Sequence, residues 1–567
     1  MDPDRRGNCQ GTGCNRPRQR TSVLPRDARQ SACEESCRSL LVASQFHLAD
    51  LFETAAAQIP DRIAIKSDAG HLTYGELNAR TDRLAAGLWA QGVRRGDNVG
   101  LYMMNGPEYL ESLLAAIKIG AVPFNVNYRY RADELRYLFD NAEAVAVIHG
   151  AEFTPVIDEL KPDLPKLRLA ISVDDGIGQT RSPTYDELLQ TAPAGPFERH
   201  EDDILLLYTG GTTGAPKGVM WPHKAFFFAC LNGAGYYHAD GPCTAPGDIA
   251  ARASGGYHLS MFPTAPLMHG AAIWSALGAM LSGLTLVLDP VRSFDPVAIW
   301  DRVEREGAQM VQIVGDAMAI PLRDALRDNP GRWKLDHVIN FGSGGAVFSE
   351  SVKADLRQFL PNAMITDGMG SSETGVSGMA IPSAEGMMRL PVNELQSIVV
   401  DGRLGTVGET GFVARSGNIP VGYFGDPVKS AETFQTIDGT LWSVSGDTAR
   451  IDDDGFMTVF GRGSTCITTG GEKVFPEEVE EALRTHPAIL DSVVAGQKDD
   501  RWGERVVGVV SLREGCTRPA FDEVKSHLSS QLAGYKLPKA LVWVDAVKRS
   551  PAGKQDYRWA REVAASA

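Results

Sequence analysis

Residues Tyr208 to Val219 read YTGGTTGAPKGV, a run of small and hydroxylated residues closing on a lysine. Gly210, Gly211, Gly214 and Gly218 let backbone N–H groups turn toward an anion. Thr209, Thr212 and Thr213 add hydroxyl donors and Lys217 adds a positive charge, so the natural ligand of this composition is a nucleotide's polyphosphate. It is not a kinase-type phosphate loop. That motif ends in Gly-Lys-Ser/Thr, whereas here Pro216 precedes the lysine and Gly218 follows it. Other candidates are mute in isolation. Glu373, Asp447 and Arg462 read equally well as surface ion-pair residues, Lys554 sits in a stretch with the composition of a solvated turn, and His269 on an apolar segment reads as a core histidine.

The elements that must position these groups follow from periodicity. The apolar run Ile204 to Leu207 predicts a buried strand, so the phosphate-type loop emerges at a strand end, where α/β proteins place ligands. Helical patterns such as Leu77 to Gln91 alternate with strand-like runs such as Asn98 to Met103 and Ala144 to His149, the βα alternation of parallel sheets. The expected fold class is α/β. Gly270 to Leu288 carries no charge over nearly a bilayer-crossing length, but it divides into a buried helix and, after Gly283, a short strand, so no transmembrane segment is expected. From Pro420 to Asp454 the chain is turn-rich, and the Asp452 to Gly455 run reads as a turn and not a metal site. Beyond Gly461, Pro476 to Arg484 predicts a helix, Ser492 to Ala495 and Val506 to Leu512 strands, and Phe521 to Leu532 another helix. These divisions give a large N-terminal domain of sheet and helix subdomains at 46–461 and a small α+β C-terminal domain at 462–567. Residues 1–45 carry four of the eight cysteines (Cys9, Cys14, Cys33, Cys37) and no sustained periodicity, and read as a disordered tail. The irregular cysteine spacing argues against zinc.

Further segments accompany the 208–219 loop in chain order: PLMHG at 266–270, GSGGA at 342–346, MGSSE at 369–373, Trp442 with SGD at 445–447, Gly461-Arg462 running through GGEK at 470–473 to Glu480, and RSPAGK at 549–554. Together they resemble the signatures of the adenylate-forming superfamily, which includes acyl-CoA synthetases, luciferases and the adenylation domains of peptide synthetases. The resemblance runs from about Phe46 to the C-terminus. Asn125 to Ala142, Gly461 to Leu483 and Lys548 to Arg561 are most similar to actinobacterial-type fatty-acid and steroid side-chain acyl-CoA synthetases.

The resemblance implies a site. Thr209, Gly210, Gly211, Thr212, Thr213, Gly214 and Lys217 would hold the ATP phosphates, and Glu373 with Thr212 would hold Mg²⁺. Gly344, Gly345, Ala346, Met369, Gly370, Ser371 and Ser372 would flank the adenine, Asp447 and Arg462 the ribose, and Gly470 and Gly471 a CoA tunnel. His269 would line the acid pocket. Lys554, on a small mobile lid hinged at Ser464, would neutralise charge where a carboxylate attacks the α-phosphate. CoA would then take the acyl group from acyl-AMP. Met369 departs from the family's aromatic and replaces stacking with a flexible thioether, while Ser372 and Ser445 replace threonines but keep a hydroxyl. The Gly270-Ala271-Ala272 stretch after His269 offers no carboxylate to meet an ammonium, which disfavours amino acids and suits a hydrophobic acid, a medium or long fatty acid or a steroid side-chain acid.

Composition agrees. The chain's 567 residues, 43% hydrophobic and 22% charged, suit a soluble enzyme of two or three domains. Its formal net charge of −15 would repel a phosphate backbone, which excludes nucleic acid as an expected partner. A cytoplasmic location is expected from the lack of a long apolar segment in residues 1–45 and from the need for ATP and CoA. Peripheral membrane contact and a homodimer stay open, as do two other activities: an acyl-AMP ligase that loads a carrier protein, and a nucleotide-binding regulator without turnover.

Overall fold

A strand with apolar residues on both faces has to lie inside a sheet covered on both sides. The run Ile204–Thr209 does so, between Val122–Asn125 on one side and Lys217–Pro222 on the other. The computed structural model describes residues 43–567 apart from 210–215, 289–292, 383–386, 463–464, 470–471, 500–502, 530, 533, 550–553 and 567. Among the described residues, the sheet runs Gly422–Tyr423, Lys217–Pro222, Ile204–Thr209, Val122–Asn125, Asn98–Tyr102, Ala146–Gly150, Leu169–Val173. It is parallel from Ile204–Thr209 outward to Leu169–Val173 and antiparallel at its Lys217–Pro222 and Gly422–Tyr423 end.

A second sheet runs Gly375–Met379, Met364–Ser371, Asn340–Gly344, Met310–Ile313, Ser260–Pro263, Thr285–Val287, Ile63–Ser67, Gly70–Thr73, parallel except for its outermost strands. The largest apolar cluster contains residues of both sheets and of the helices between them, including Phe52, Tyr74, Leu110, Leu205, Trp221 and Leu277. Trp221 is fully buried, and truncating such a side chain costs about 3–5 kcal/mol. A third, antiparallel sheet follows from Ile381 to Arg462. The small C-terminal region pairs Ile489–Asp499 with Gly503–Leu512 and adds Ala540–Val544 parallel to the latter, backed by the helices Pro476–Arg484 and Tyr557–Ala564.

Local chemistry explains the boundaries. The helix expected from Leu77 begins three residues earlier, at Tyr74, because Thr73 and Glu76 form a capping box. Gly270–Leu281 is a helix and Thr285–Val287 a strand, and no helix among the described residues is long and apolar enough to cross a membrane. Asp452 to Gly455 is a turn, tied by Arg389 to Asp454 at 2.6 Å. The folded body reaches further upstream than expected. Ala43 is buried and donates its N–H to Thr54 Oγ1 at 2.9 Å, and Gln45 Nε2 donates to Asp50 and to the Arg199 carbonyl. Residues 1–42, which hold the cysteines of the expected tail, lie outside the described residues.

Two histidines are buried against each other. His47 caps Leu48–Gln58 by accepting the Ala49 N–H, His223 opens His223–Cys230, and the ring centroids stand 4.3 Å apart. Burial first, and then the nearby cations, hold His47 far below its ordinary pKa; burial pushes His223 down to about 4, against the pull of Asp203. His47 Nε2 is 3.7 Å from Asp203, whose carboxylate is taken by Arg95, so this contact is not an ion pair. Both rings are neutral in the fold and gain protons on unfolding below about pH 6.5. Stability contributed by the pair is therefore fully present above that pH and is lost as pH falls, by at most about 1.4 kcal/mol per pH unit for each proton. We expect the thermal midpoint to drop between about pH 7 and pH 5, and His223→Phe to make that acid slope shallower; an unchanged slope would show that His223 is already protonated in the fold.

Candidate active site

Glu373 sits on a turn that closes the antiparallel pair Met364–Ser371 and Gly375–Met379. The close approach requires glycine: a Cβ on Gly370 would lie 2.4 Å from the Gly375 carbonyl oxygen, and Gly375 has φ +70°. Three groups pin the turn's backbone. Trp221 Nε1 donates to the Ser372 carbonyl at 2.9 Å, Ser443 Oγ donates to the Glu373 carbonyl at 2.6 Å, and Arg415 Nη1 donates to the carbonyls of Thr374 and Val376 at 3.1 and 2.6 Å. Glu373 Oε1 accepts the Tyr423 hydroxyl at 2.9 Å, while Oε2 accepts no hydrogen bond from the described residues.

Lys217 opens the strand opposite Thr209, so these two residues are the feet of the 210–215 loop. Its Nζ lies 2.9 Å from Asp426 Oδ2 and 5.5 Å from the Tyr423 ring centroid. Gly218 serves packing, not anion approach: it pairs with Tyr208, and a Cβ there would meet that ring at 2.8 Å. Gly210, Gly211, Thr212, Thr213 and Gly214 lie outside the described residues, as do Ser464, Gly470 and Gly471.

His269 precedes the helix Gly270–Leu281, on a turn fixed by two asparagines. Asn105 donates to the Ala265 carbonyl and accepts the Leu267 N–H; Asn125 donates to the carbonyls of Met268 and Tyr208 and accepts the Tyr208 N–H at 2.7 Å. Asn125 thus ties the histidine turn to the strand that feeds the phosphate loop. Neither asparagine was singled out from sequence; the only signal was Asn125's place in the quoted 125–142 segment. His269 Nε2 is buried without a hydrogen-bond partner among the described residues, and burial, with Arg129 and Lys554 as further contributors, lowers its pKa to about 4. The imidazole is neutral at physiological pH. A helix beginning on Gly270 brings Ala271 within 3.9 Å of where a Cβ on Gly344 or Gly345 would lie, so the loop at 344–346 faces the first turn of the His269 helix.

Met369 is half-buried and packs on the apolar cluster of the antiparallel sheet, with Leu390, Ile398 and Met457. Asp447 and Arg462 stand directly opposite each other on neighbouring strands, and the Asp447 N–H is held by Ser445 Oγ at 3.1 Å.

Lys554 ends a narrow loop whose feet are fixed in the C-terminal domain. Arg549 pairs with Gln555 across the loop and binds Asp491 at 2.8 Å, and Gln555 Nε2 donates to Glu480 at 3.1 Å. Glu480 also accepts the Val494 N–H, and burial pushes its carboxyl up to about 7. The charge of Lys554 contributes, after burial and Arg129, to the lowered pKa of His269.

Among the described residues no three His, Cys, Asp or Glu side chains converge to cage a metal. Glu373 presents a single carboxylate oriented through one oxygen, a donor of the kind that would hold a Mg²⁺ carried mainly by phosphates and water.

The sequence model of the AMP-binding enzymes matches residues 52–420, and that of the AMP-binding enzyme C-terminal domain matches residues 478–554. A medium/long-chain-fatty-acid–CoA and 3-oxocholest-4-en-26-oate–CoA ligase of Mycobacterium tuberculosis is 41% identical over 92% of this chain and 96% of its own length. A 3-oxocholest-4-en-26-oate–CoA ligase of Rhodococcus rhodochrous is 40% identical over 91% of this chain and 95% of its own. The crystal structure of the anthranilate CoA ligase AuaEII in complex with anthranoyl-AMP shares the fold with a TM-score of 0.78 at 22% identity, covering 92% of this chain and 98% of that one. With its body and its C-terminal domain both matched, and relatives this similar along nearly the whole chain, the protein belongs to the AMP-binding enzymes.

Proposed function

We propose that the protein activates a hydrophobic carboxylic acid with ATP and passes it to CoA, releasing AMP and pyrophosphate. The family carries the reading, with the AMP-binding enzyme model over residues 52–420 and that of the C-terminal domain over 478–554, and it is supported by Lys554 being near enough to His269 for its charge to act, after burial and Arg129, against protonation of the imidazole. The names of the relatives support an acid of the medium or long fatty-acid or steroid side-chain kind. So does the Gly270-Ala271-Ala272 stretch after His269, which offers no carboxylate to meet an ammonium group.

The mechanism has to join two anions. Thr209 and Lys217 would hold the β- and γ-phosphates at the feet of the 210–215 loop, and Asp447 with Arg462 would hold the ribose. Glu373, with Thr212, would hold Mg²⁺, which when bound neutralises phosphate charge. The loops at 344–346 and 369–372 would flank the base. Lys554 would stand over the carboxylate as its oxygen bonds to the α-phosphorus and the bond to pyrophosphate breaks. His269, uncharged, would shape the acid pocket without acting as a base. The C-terminal domain would then pivot at Ser464, placing Gly470 and Gly471 along the path by which the CoA thiol reaches the acyl carbon and displaces AMP.

An acid panel scored by mass spectrometry for ATP-, Mg²⁺- and CoA-dependent thioester tests the proposal. Acyl-AMP that accumulates without consuming free CoA would instead favour transfer to a carrier protein, and nucleotide binding without pyrophosphate release from any acid would favour a regulator.

Two variants test the assigned roles. Lys554→Ala should lower acyl-AMP formation by about 10²- to 10³-fold while thioester formation from supplied acyl-AMP survives; equal losses in both half-reactions would remove the lysine from adenylation. Since His269 is neutral above about pH 4, adenylation should show no ionisation attributable to it between about pH 5.5 and 8. A step near pH 6.5 that disappears in His269→Gln would contradict this.

A further inference from the structure

We propose that Tyr423 is a positioning residue that sets the Glu373 carboxylate for its cation and, with the face of the same ring, registers Lys217 beside it. The inference rests on the adenylation reading above. Tyr423 is the one described side chain that touches both groups: its hydroxyl donates to Glu373 Oε1 at 2.9 Å, and Lys217 Nζ lies 5.5 Å from its ring centroid.

The ring itself is held firmly. It is buried, and its residue pairs with Val219 at the edge of the sheet that carries the phosphate loop. Its N–H donates to Ser430 Oγ at 2.8 Å, and the next residue, Phe424, donates its N–H to the Gly218 carbonyl at 2.8 Å. Lys217 is fixed from its other side by Asp426, which cannot follow the lysine because its second oxygen accepts the Lys429 N–H at the start of Pro427–Thr433. The turn after Gly422–Tyr423 is therefore rigid on the scale of the two groups it touches.

The consequence is chemical. A carboxylate on a turn can rotate about its terminal bonds, and a metal ligand whose partner hydrogen bond is lost typically binds its ion about 10- to 100-fold more weakly. With Oε1 occupied by the hydroxyl, Oε2 is the oxygen left for the cation. The ring's electron-rich face attracts the ammonium independently of that hydroxyl. The two contacts are therefore separable by substitution.

The test measures binding of the non-hydrolysable analogue α,β-methylene-ATP by calorimetry at graded Mg²⁺, with no turnover involved. Tyr423→Phe keeps the ring and should raise the Mg²⁺ concentration for half-maximal binding by about 10- to 100-fold, with analogue affinity at saturating Mg²⁺ unchanged. Tyr423→Leu removes both contacts and should add a loss of about 2- to 5-fold at saturating Mg²⁺. Thermal midpoints recorded alongside identify a variant that has failed to fold, and Tyr423→Phe, which deletes a single oxygen, then decides the matter. Glu373→Gln is the reference. If it raises the Mg²⁺ requirement and Tyr423→Phe behaves as wild type, the positioning role is overturned while the adenylation reading stands; if Glu373→Gln leaves the requirement unchanged, the metal assignment falls and this inference with it.

Discussion

Buried charges of opposite sign in the body and in the C-terminal domain act on one another. Asp316 lies in the first turn of Gly315–Asp328 in the body, with one oxygen accepting the Ser349 N–H and the other without a partner among the described residues. Burial raises its carboxyl above the ordinary range, and Arg484 and then Arg549, both in the C-terminal domain, pull it back. Arg484 is itself buried, bound to Glu481 at 3.0 Å, with Nε and Nη1 unbonded. These charges attract without closing a hydrogen-bonded pair. A buried, fully satisfied pair resists separation, because breaking it strands a charge; an attraction that leaves donors and acceptors open holds two domains in register at a smaller cost of release. Such a junction suits the pivot proposed for the C-terminal domain after the first half-reaction.

Much of the fold was legible because its signals are local. The continuous run Ile204 to Leu207 and the uncharged stretch after His269 gave a strand and a helix directly, and Pro476–Arg484 matches its expected limits. The long hairpin Ile489–Asp499 with Gly503–Leu512 was read too short, since its outer residues are polar and owe their strand conformation to pairing alone. The start of the body was placed late for the same kind of reason: Ala43 and Gln45 are fixed by partners on distant segments.

The site was legible wherever a motif ends a strand and illegible where residues act through others. Glu373, Lys217 and His269 stand in motifs of unusual composition. Tyr423, Asp426, Asn105 and Asn125, which hold them, are ordinary polar residues whose partners lie tens to hundreds of positions away, and no spacing rule reaches that far. Even within a motif, composition can mislead. Gly218 belongs to the phosphate run but makes room for Tyr208, and Met369, in a position associated with adenine, also secures the antiparallel sheet.

Charge ties these observations together. A cleft that receives a carboxylate and a polyphosphate needs cations, yet free cations crowded in one place repel each other and destabilise the fold. Lys217 meets this with Asp426 and Arg549 with Asp491, so each is neutralised within its own domain. Burial first, and then the charges of Arg129 and Lys554, keep His269 from taking a proton. The field that favours an incoming anion is thus the same field that disfavours an imidazolium. A histidine placed there is a weak base, and the proposed reaction needs none, because a carboxylic acid arrives already ionised and only its approach has to be made favourable.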